Sequence, residues 1–190
     1  MEYTISYKKI RHGYVRLSPN GKLSITIPHS LKNDENFKKS LIEKGEKLLS
    51  RNKKRIQIQS HTSDSIILFG EEVSIAQFPI PNKPIPYLKS TLHEYIQPIA
   101  DKYSDLIGKN YKEIKIRKLK SKRGSCSYDN VLTFNLDLIH LQTKYIKYVI
   151  IHEVCHIRVK NHSSKFRDLV GQYCPDYKKL RKELRNFIIR

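Results

Sequence analysis

The sequence predicts an α+β protein, and three observations carry that expectation. Residues from Tyr3 to Ile27 alternate apolar and polar side chains around a Pro19-Asn20-Gly21 turn, the pattern of a β-hairpin or meander. Two longer segments, Asp34 to Asn52 and Lys144 to Val159, instead place apolar residues at helical spacing or nearly all round a helix. Between them a cluster of prolines (Pro79, Pro81, Pro84, Pro86) reads as a linker. The expected organisation is a β-rich subdomain with one helix over residues 1–80, then a second domain over 87–190. A chain of 190 residues suits one domain, or a small domain plus a subdomain.

The elements follow in order. Asp34 is expected to cap a helix with Phe37, Leu41, Ile42, Leu48 and Leu49 on its apolar side. Arg55 to Ile58 and Ser65 to Ile75 read as strands. Tyr87 to Leu106 reads as a helix that Pro98 should kink, packed beside the Lys144–Val159 helix. Ile114 to Leu119 and Val131 to Phe134 read as strands flanking Gly124-Ser125-Cys126, with Asp129-Asn130 as a turn. The whole run IKIRKLKSKRGSC, from Ile114 to Cys126, reads as an alternating strand with its charges on one face. Asp176 to Ile188 reads as an amphipathic helix.

Charge and cysteine usage bound the partners. The formal net charge is +19, and residues 108–127 alone hold eight Lys/Arg against one acidic side chain. A basic band of this kind can bind nucleic acid through its phosphates; the alternative is an ordinary solvated face. No base-reading motif accompanies it. No run of 18 apolar residues is present, so no membrane partner is expected. The start of the chain lacks the apolar segment of a secretory signal. The three cysteines, Cys126, Cys155 and Cys174, are odd in number and far apart. They read as reduced thiols of a cytoplasmic protein, with Cys155 packing in the core.

The chemistry is concentrated in HEVCHIRVKNH, His152 to His162. Positions i and i+4 share one helix face, so His152 and His156 can offer two nitrogens to one metal ion. Glu153 is rotated off that face but is long enough to act as general base on a metal-bound water. This is the pattern of zinc hydrolases. If the helix ran on, His162 would sit roughly 9 Å further along the axis and about 240° around, pointing away. A break at Lys160-Asn161, with Asn161 in the left-handed conformation and Ser163 or Ser164 capping a new helix, would return His162 as a third ligand. Asp168 and Asp176 are the fallback ligands. Three protein ligands leave a fourth position for water, which implies one Zn2+ per chain and hydrolysis of a peptide or protein substrate.

The chain also resembles a known family, the YgjP-like metallopeptidases, which look related to the SprT and Spartan proteases. The residues that carry the resemblance are Ile116 to Ser127, Val131 to Ile139, Tyr148 to Phe166 and Cys174 to Leu184. The resemblance implies a zincin-like core, zinc held by His152, His156 and His162, and Glu153 as the catalytic residue. The family usually has Trp before the GSC tripeptide and after the Phe of the NHS segment. This chain has Arg123 and Arg167 there, and no Trp. The replacements imply altered packing or a more polar substrate groove. By analogy with zincins, the main chain of Arg123, Gly124, Ser125 and Cys126 is the candidate substrate-binding strand, against the alternative of an ordinary interior strand.

Two competing readings remain. Gly124-Ser125-Cys126 faintly resembles a papain-type nucleophile segment, but Arg123 and Ser127 replace its flanking residues and a strand is the wrong setting for a low-pKa thiol. A basic nucleic-acid-binding protein with a non-catalytic zinc centre would explain the charge but not the intact Glu153. A protease acting on DNA-associated proteins would explain both.

Overall fold

The computed structural model describes residues 3–18, 22–53, 56–57, 64–76 and 84–188. Two compact units are present, Met1–Arg55 and Ile56–Arg190.

In the first unit, strands β1 (Tyr3–Lys8), β2 (Tyr14–Leu17) and β3 (Leu23–Pro28) form one sheet with β3 in the centre. β3 takes the centre because it is the most apolar, with Ile25 and Ile27 almost fully buried. β2 and β3 are the expected hairpin, closed by the Ser18 N–H donating to the Lys22 carbonyl at 2.9 Å. The Pro19-Asn20-Gly21 turn lies outside the described residues. β1 is not the first strand of a meander, because it lies parallel to β3. Helix α1 (Glu35–Lys53) covers the sheet. The Asp34 carboxylate accepts from the Phe37 N–H at 2.9 Å, as a cap should. Leu41 is buried with Ile25 and Ile27, and Phe37 and Ile42 pack around them. Leu48 is 39% exposed. A 19-residue helix extends about 28 Å, longer than the roughly 20 Å of a six-residue strand, so its last turns outrun the sheet.

The second unit begins with the short strand β4 (Ile56–Gln57). The expected strand Ser65 to Ile75 is instead a hairpin, β5 (Ser65–Leu68) and β6 (Glu71–Ser74). Phe69 and Gly70 both have positive φ, the geometry of a two-residue hairpin turn. Ile66 and Leu68 of this hairpin are buried in the core of the second unit, ahead of the expected boundary near residue 80. Pro79 and Pro81 lie outside the described residues, whereas Pro84 and Pro86 form the first turn of α2 (Pro84–Ile107). A first turn has no use for those N–H groups, so prolines start the helix rather than link to it. The helix runs through Pro98 without a break. Glu94, whose carbonyl loses its partner, and Pro98 are both exposed, so water can satisfy that carbonyl.

Strands β7 (Glu113–Arg117), β8 (Gly124–Cys126) and β9 (Val131–Asn135) form the second unit's three-stranded sheet in the order β7-β9-β8. β7 is parallel to β9, and β8 is antiparallel to it through a turn in which Asn130 has φ 62°. The basic run from Ile114 to Cys126 is therefore not one strand. Residues 118–123 leave the sheet and loop across to β8. Asn135, 1% exposed, holds that loop. Its side-chain amide donates to the Leu119 and Lys122 carbonyls at 2.9 and 3.1 Å, and its oxygen accepts from the Leu119 N–H at 3.2 Å.

Helices α3 (Thr143–Arg158), α4 (Ser164–Tyr173) and α5 (Tyr177–Leu184) follow, and α3 packs against α2, β8, α4 and α5. α3 buries residues on nearly every side, including Ile146, Ile150, Val154 and Cys155. Cys155 packs in the core as expected, and all three cysteines are free thiols. The C-terminal helix stops at Leu184 rather than Ile188, because Phe187–Ile188 form strand β10 beside β4. No helix among the described residues is long and apolar enough to cross a membrane.

Candidate metal centre and active-site cleft

α3 places His152 and His156 one turn apart on one face, and His162 returns to meet them. The chain leaves the helix at Val159, which is extended (φ −129°, ψ 101°), one residue before the expected break. Asn161 is not in the left-handed conformation expected of it. Its side chain makes the turn instead, accepting from the Ser163 N–H at 3.2 Å. Ser163 occupies the N-cap position of α4 but makes no side-chain capping bond. Arg167 donates to the His162 carbonyl at 2.8 Å and so braces the turn.

The Nε2 atom of His162 is 3.2 Å from Nε2 of His156 and 3.2 Å from Nε2 of His152. All three ligand atoms lie within 4.8 Å of one another. Zinc–nitrogen bonds of about 2.0–2.1 Å in a tetrahedron require nitrogens about 3.3–3.4 Å apart, so the two His162 separations suit a shared zinc ion, and His152 and His156 lie within 4.8 Å of each other. Neither Asp168 nor Asp176 belongs to the cluster. The Nδ1 of His156 lies 2.9 Å from the Val159 carbonyl, which accepts its proton and leaves Nε2 as the free lone pair. Phe166 stacks on His156 (centroids 4.2 Å, planes 19°) and meets His152 and His162 edge-on, fixing all three rings. Burial lowers the pKa of His152 to about 3, helped by the charges of His156, His162 and Arg181; burial also lowers that of His156. Neutral imidazole is the form that binds metal.

Glu153 is buried beside this cluster, 6% exposed. Burial pushes its carboxyl up to about 8, and the Lys122 ammonium acts in the other direction. A divalent cation nearby would act in the same sense as Lys122. β8 packs directly on this side chain. A Cβ at Gly124 would come within 2.8 Å of Glu153 Cγ and 2.9 Å of its Oε1, so a larger residue there would have to displace the Glu153 side chain.

Of the four expected substrate-strand residues, Gly124, Ser125 and Cys126 form β8, an edge strand among the described residues and not an interior one. Arg123 precedes it. Its guanidinium donates to the Leu184 and Phe187 carbonyls, so it fastens the end of α5. Burial raises the Cys126 pKa against the influence of Lys160, the opposite of an activated nucleophile. Lys160 instead bridges α3 to the β8–β9 turn, donating to the Ser127 carbonyl at 2.7 Å and to Asn130 Oδ1 at 2.6 Å.

A cleft of about 290 Å3 opens over His152, Glu153 and His162, walled by residues 122–124, Tyr148 and α5. Sequence reasoning missed Tyr148, Phe166, Arg181 of α5 and Arg185 just after it. Tyr148 had a signal, being one helical turn before His152. α5 had none, because only the tertiary packing brings it to the cleft.

The family model of the YgjP-like metallopeptidase domain matches residues 80–187. The chain belongs to that family. Its α+β fold sets helix α3 of this YgjP-like protein against a small sheet, and its three histidines could hold the metal that a metallopeptidase needs. No curated protein matches the chain significantly. Two solved metallopeptidase zymogens are similar in structure. Abylysin of Pyrococcus abyssi is 22% identical, with a TM-score of 0.43 over 47% of this chain and 90% of that one. Jannalysin of Methanocaldococcus jannaschii is 23% identical, with a TM-score of 0.42 over 47% and 92%.

Proposed function

We propose that this YgjP-like chain is a zinc-dependent peptidase of the HExxH type, with His152, His156 and His162 as metal ligands and Glu153 as general base. The observation that carries this reading is that His162 Nε2 lies 3.2 Å from the Nε2 atoms of both His152 and His156, with the Glu153 carboxyl in the adjoining cleft. A bound zinc supplies a Lewis acid and a water of lowered pKa, about 7 in catalytic sites. Glu153 takes the proton of the attacking water on its carboxylate and returns it to the nitrogen of the leaving amine. Gly124 keeps β8 close enough to confine that carboxylate. β8, an edge strand, receives the substrate as an added strand through its main chain, which gives affinity with little sequence preference. We assign catalysis to residues 87–190 and locate the protein in the cytoplasm.

Metal analysis should find about one zinc per chain, lost in His156→Ala. Glu153→Gln should keep the metal and lose hydrolysis of a casein-like substrate by about 10²–10⁴-fold. Full activity in Glu153→Gln would remove the glutamate from its role.

The charge of +19 favours a second feature, action on DNA-associated proteins as in the SprT-like relatives. Lys112, Lys118, Lys120 and Lys122 are exposed around β7 and the loop that follows it. Binding to duplex and single-stranded DNA should then weaken linearly in log–log plots against salt, and a flat response would exclude it. If DNA binds and zinc is retained but no peptide is cleaved, the chain is a nucleic-acid-binding protein with a non-catalytic zinc centre.

A further inference from the structure

The cleft beside the three histidines carries an unusual charge pattern. Lys122 stands on one wall, and Arg181 and Arg185 on the other. Residues 181 and 185 are four apart at the end of α5, so both project from one face. All three are exposed, and among the described residues none has a hydrogen-bonded or ion-paired acidic partner. Among the described residues, the only carboxylate lining the cleft is that of Glu153.

These cations do not help hold a metal. A divalent ion next to them adds like charge to like charge, which weakens its binding unless an anion enters the cleft. Nor are they loosely placed. Arg123 ties the Leu184 and Phe187 carbonyls, where the negative end of the α5 dipole attracts it. Tyr145 donates to Glu183 Oε2 at 3.0 Å and meets the Phe187 ring edge-on at 5.3 Å. The helix end carrying Arg181 and Arg185 is therefore strapped to α3 and to the β8 loop. A concave site lined by one sign of charge concentrates the opposite charge. At about 290 Å3 it lies at the lower end of ligand-pocket sizes, roughly 300–1,000 Å3, which is room for one or two residues of an extended peptide. A nucleic-acid backbone would need a longer and more open track.

We propose that Lys122, Arg181 and Arg185 form a carboxylate-binding subsite, so that the enzyme prefers peptides presenting an acidic group beside the cleaved bond. The inference rests on the peptidase reading above and gives that site a substrate class. The carboxylate can come from an Asp or Glu side chain or from a free C-terminus.

The test uses the zinc-loaded full chain and matched fluorogenic peptides carrying Glu or Gln at each position around the cleaved bond, each with a free or an amidated C-terminus. The expected result is a kcat/KM about tenfold higher for the acidic member, a preference that shrinks as salt rises. Preference that follows Glu identifies a side chain; preference lost on amidation identifies the chain terminus. Arg181→Glu/Arg185→Glu should invert the ratio, and the milder Arg181→Gln should reduce it. Equal rates for Glu and Gln peptides, with free and amidated termini alike, would overturn the subsite. A second readout does not need turnover. Glu153→Gln protein should bind a labelled acidic peptide more tightly than its Gln counterpart by fluorescence anisotropy, and Arg181→Glu should abolish the difference. Binding of this kind without any hydrolysis by the unmutated chain would sink the peptidase reading and keep the subsite. Displacement of the peptides by duplex DNA, with no dependence on peptide charge, would reassign the three cations to phosphate and overturn it.

Discussion

The two compact units bury different things. The first closes its core with Ile25, Ile27 and Leu41, and the polar group it buries among the described residues is the Thr26 hydroxyl, 3.3 Å from that of Ser6. The second buries Glu153, His156, Asn135 and Asp137 within or beside its apolar core. Burying a hydroxyl with a partner costs little, but burying a carboxyl or an imidazole is expensive without compensation. The described core of the first unit is therefore almost wholly apolar. In the second, Glu153 and His156 lie at the candidate metal centre, whereas Asn135 and Asp137 hold the loop between β7 and β8.

Breaking that contrast should give a graded series. The largest effect is expected from Leu41→Ala, which should cost the first unit about 2–5 kcal/mol. Hydrogen exchange should then show protection falling across residues 22–53 while residues 84–184 stay protected; loss throughout would mean that the two cores unfold as one. Next comes Gly124→Ala, whose new methyl would displace the Glu153 side chain. Hydrolysis should fall about a hundredfold, or ~2.7 kcal/mol in barrier, with zinc content and melting temperature little changed. Unaltered turnover would show that Glu153 does not need β8 against it. Asn135→Ala should destabilise the second unit by about 1–3 kcal/mol by leaving the Leu119 and Lys122 carbonyls unpaired. A denaturant midpoint that does not move would mean that water replaces the amide. The smallest effect belongs to Asp34→Ala, about 1 kcal/mol from the lost α1 cap, read from the same exchange experiment in the first unit.

What could be read in the chain, and what could not, divides by the range of the interactions. The α1 cap at Asp34, the β2–β3 pairing and the span of α3 were legible because they depend on residues within a few positions of each other. The 65–75 segment reads as one strand but forms a hairpin, since Phe69-Gly70 lacks the usual Asn or Asp before its glycine. The basic run from Ile114 to Cys126 reads as one strand but is two, because the residue that holds the loop between them, Asn135, lies beyond it in the sequence. The C-terminal helix is shorter than its amphipathic pattern predicts because Phe187 and Ile188 pair with β4, which is remote in sequence.

The chain by itself determined that His152 and His156 share a helix face and that Glu153 adjoins them, because helical geometry makes spacing equivalent to direction. It also determined that the helix had to end before His162 if that residue was to join them. Tertiary structure alone decided that the His162 ring closes to 3.2 Å from both partners, that β8 lies at a sheet edge against Glu153, and that the end of α5 brings Arg181 and Arg185 to the same cleft. The reason is physical: those placements depend on how Phe166, Arg123 and Tyr145 pack and bond across long stretches of chain, which no local periodicity encodes.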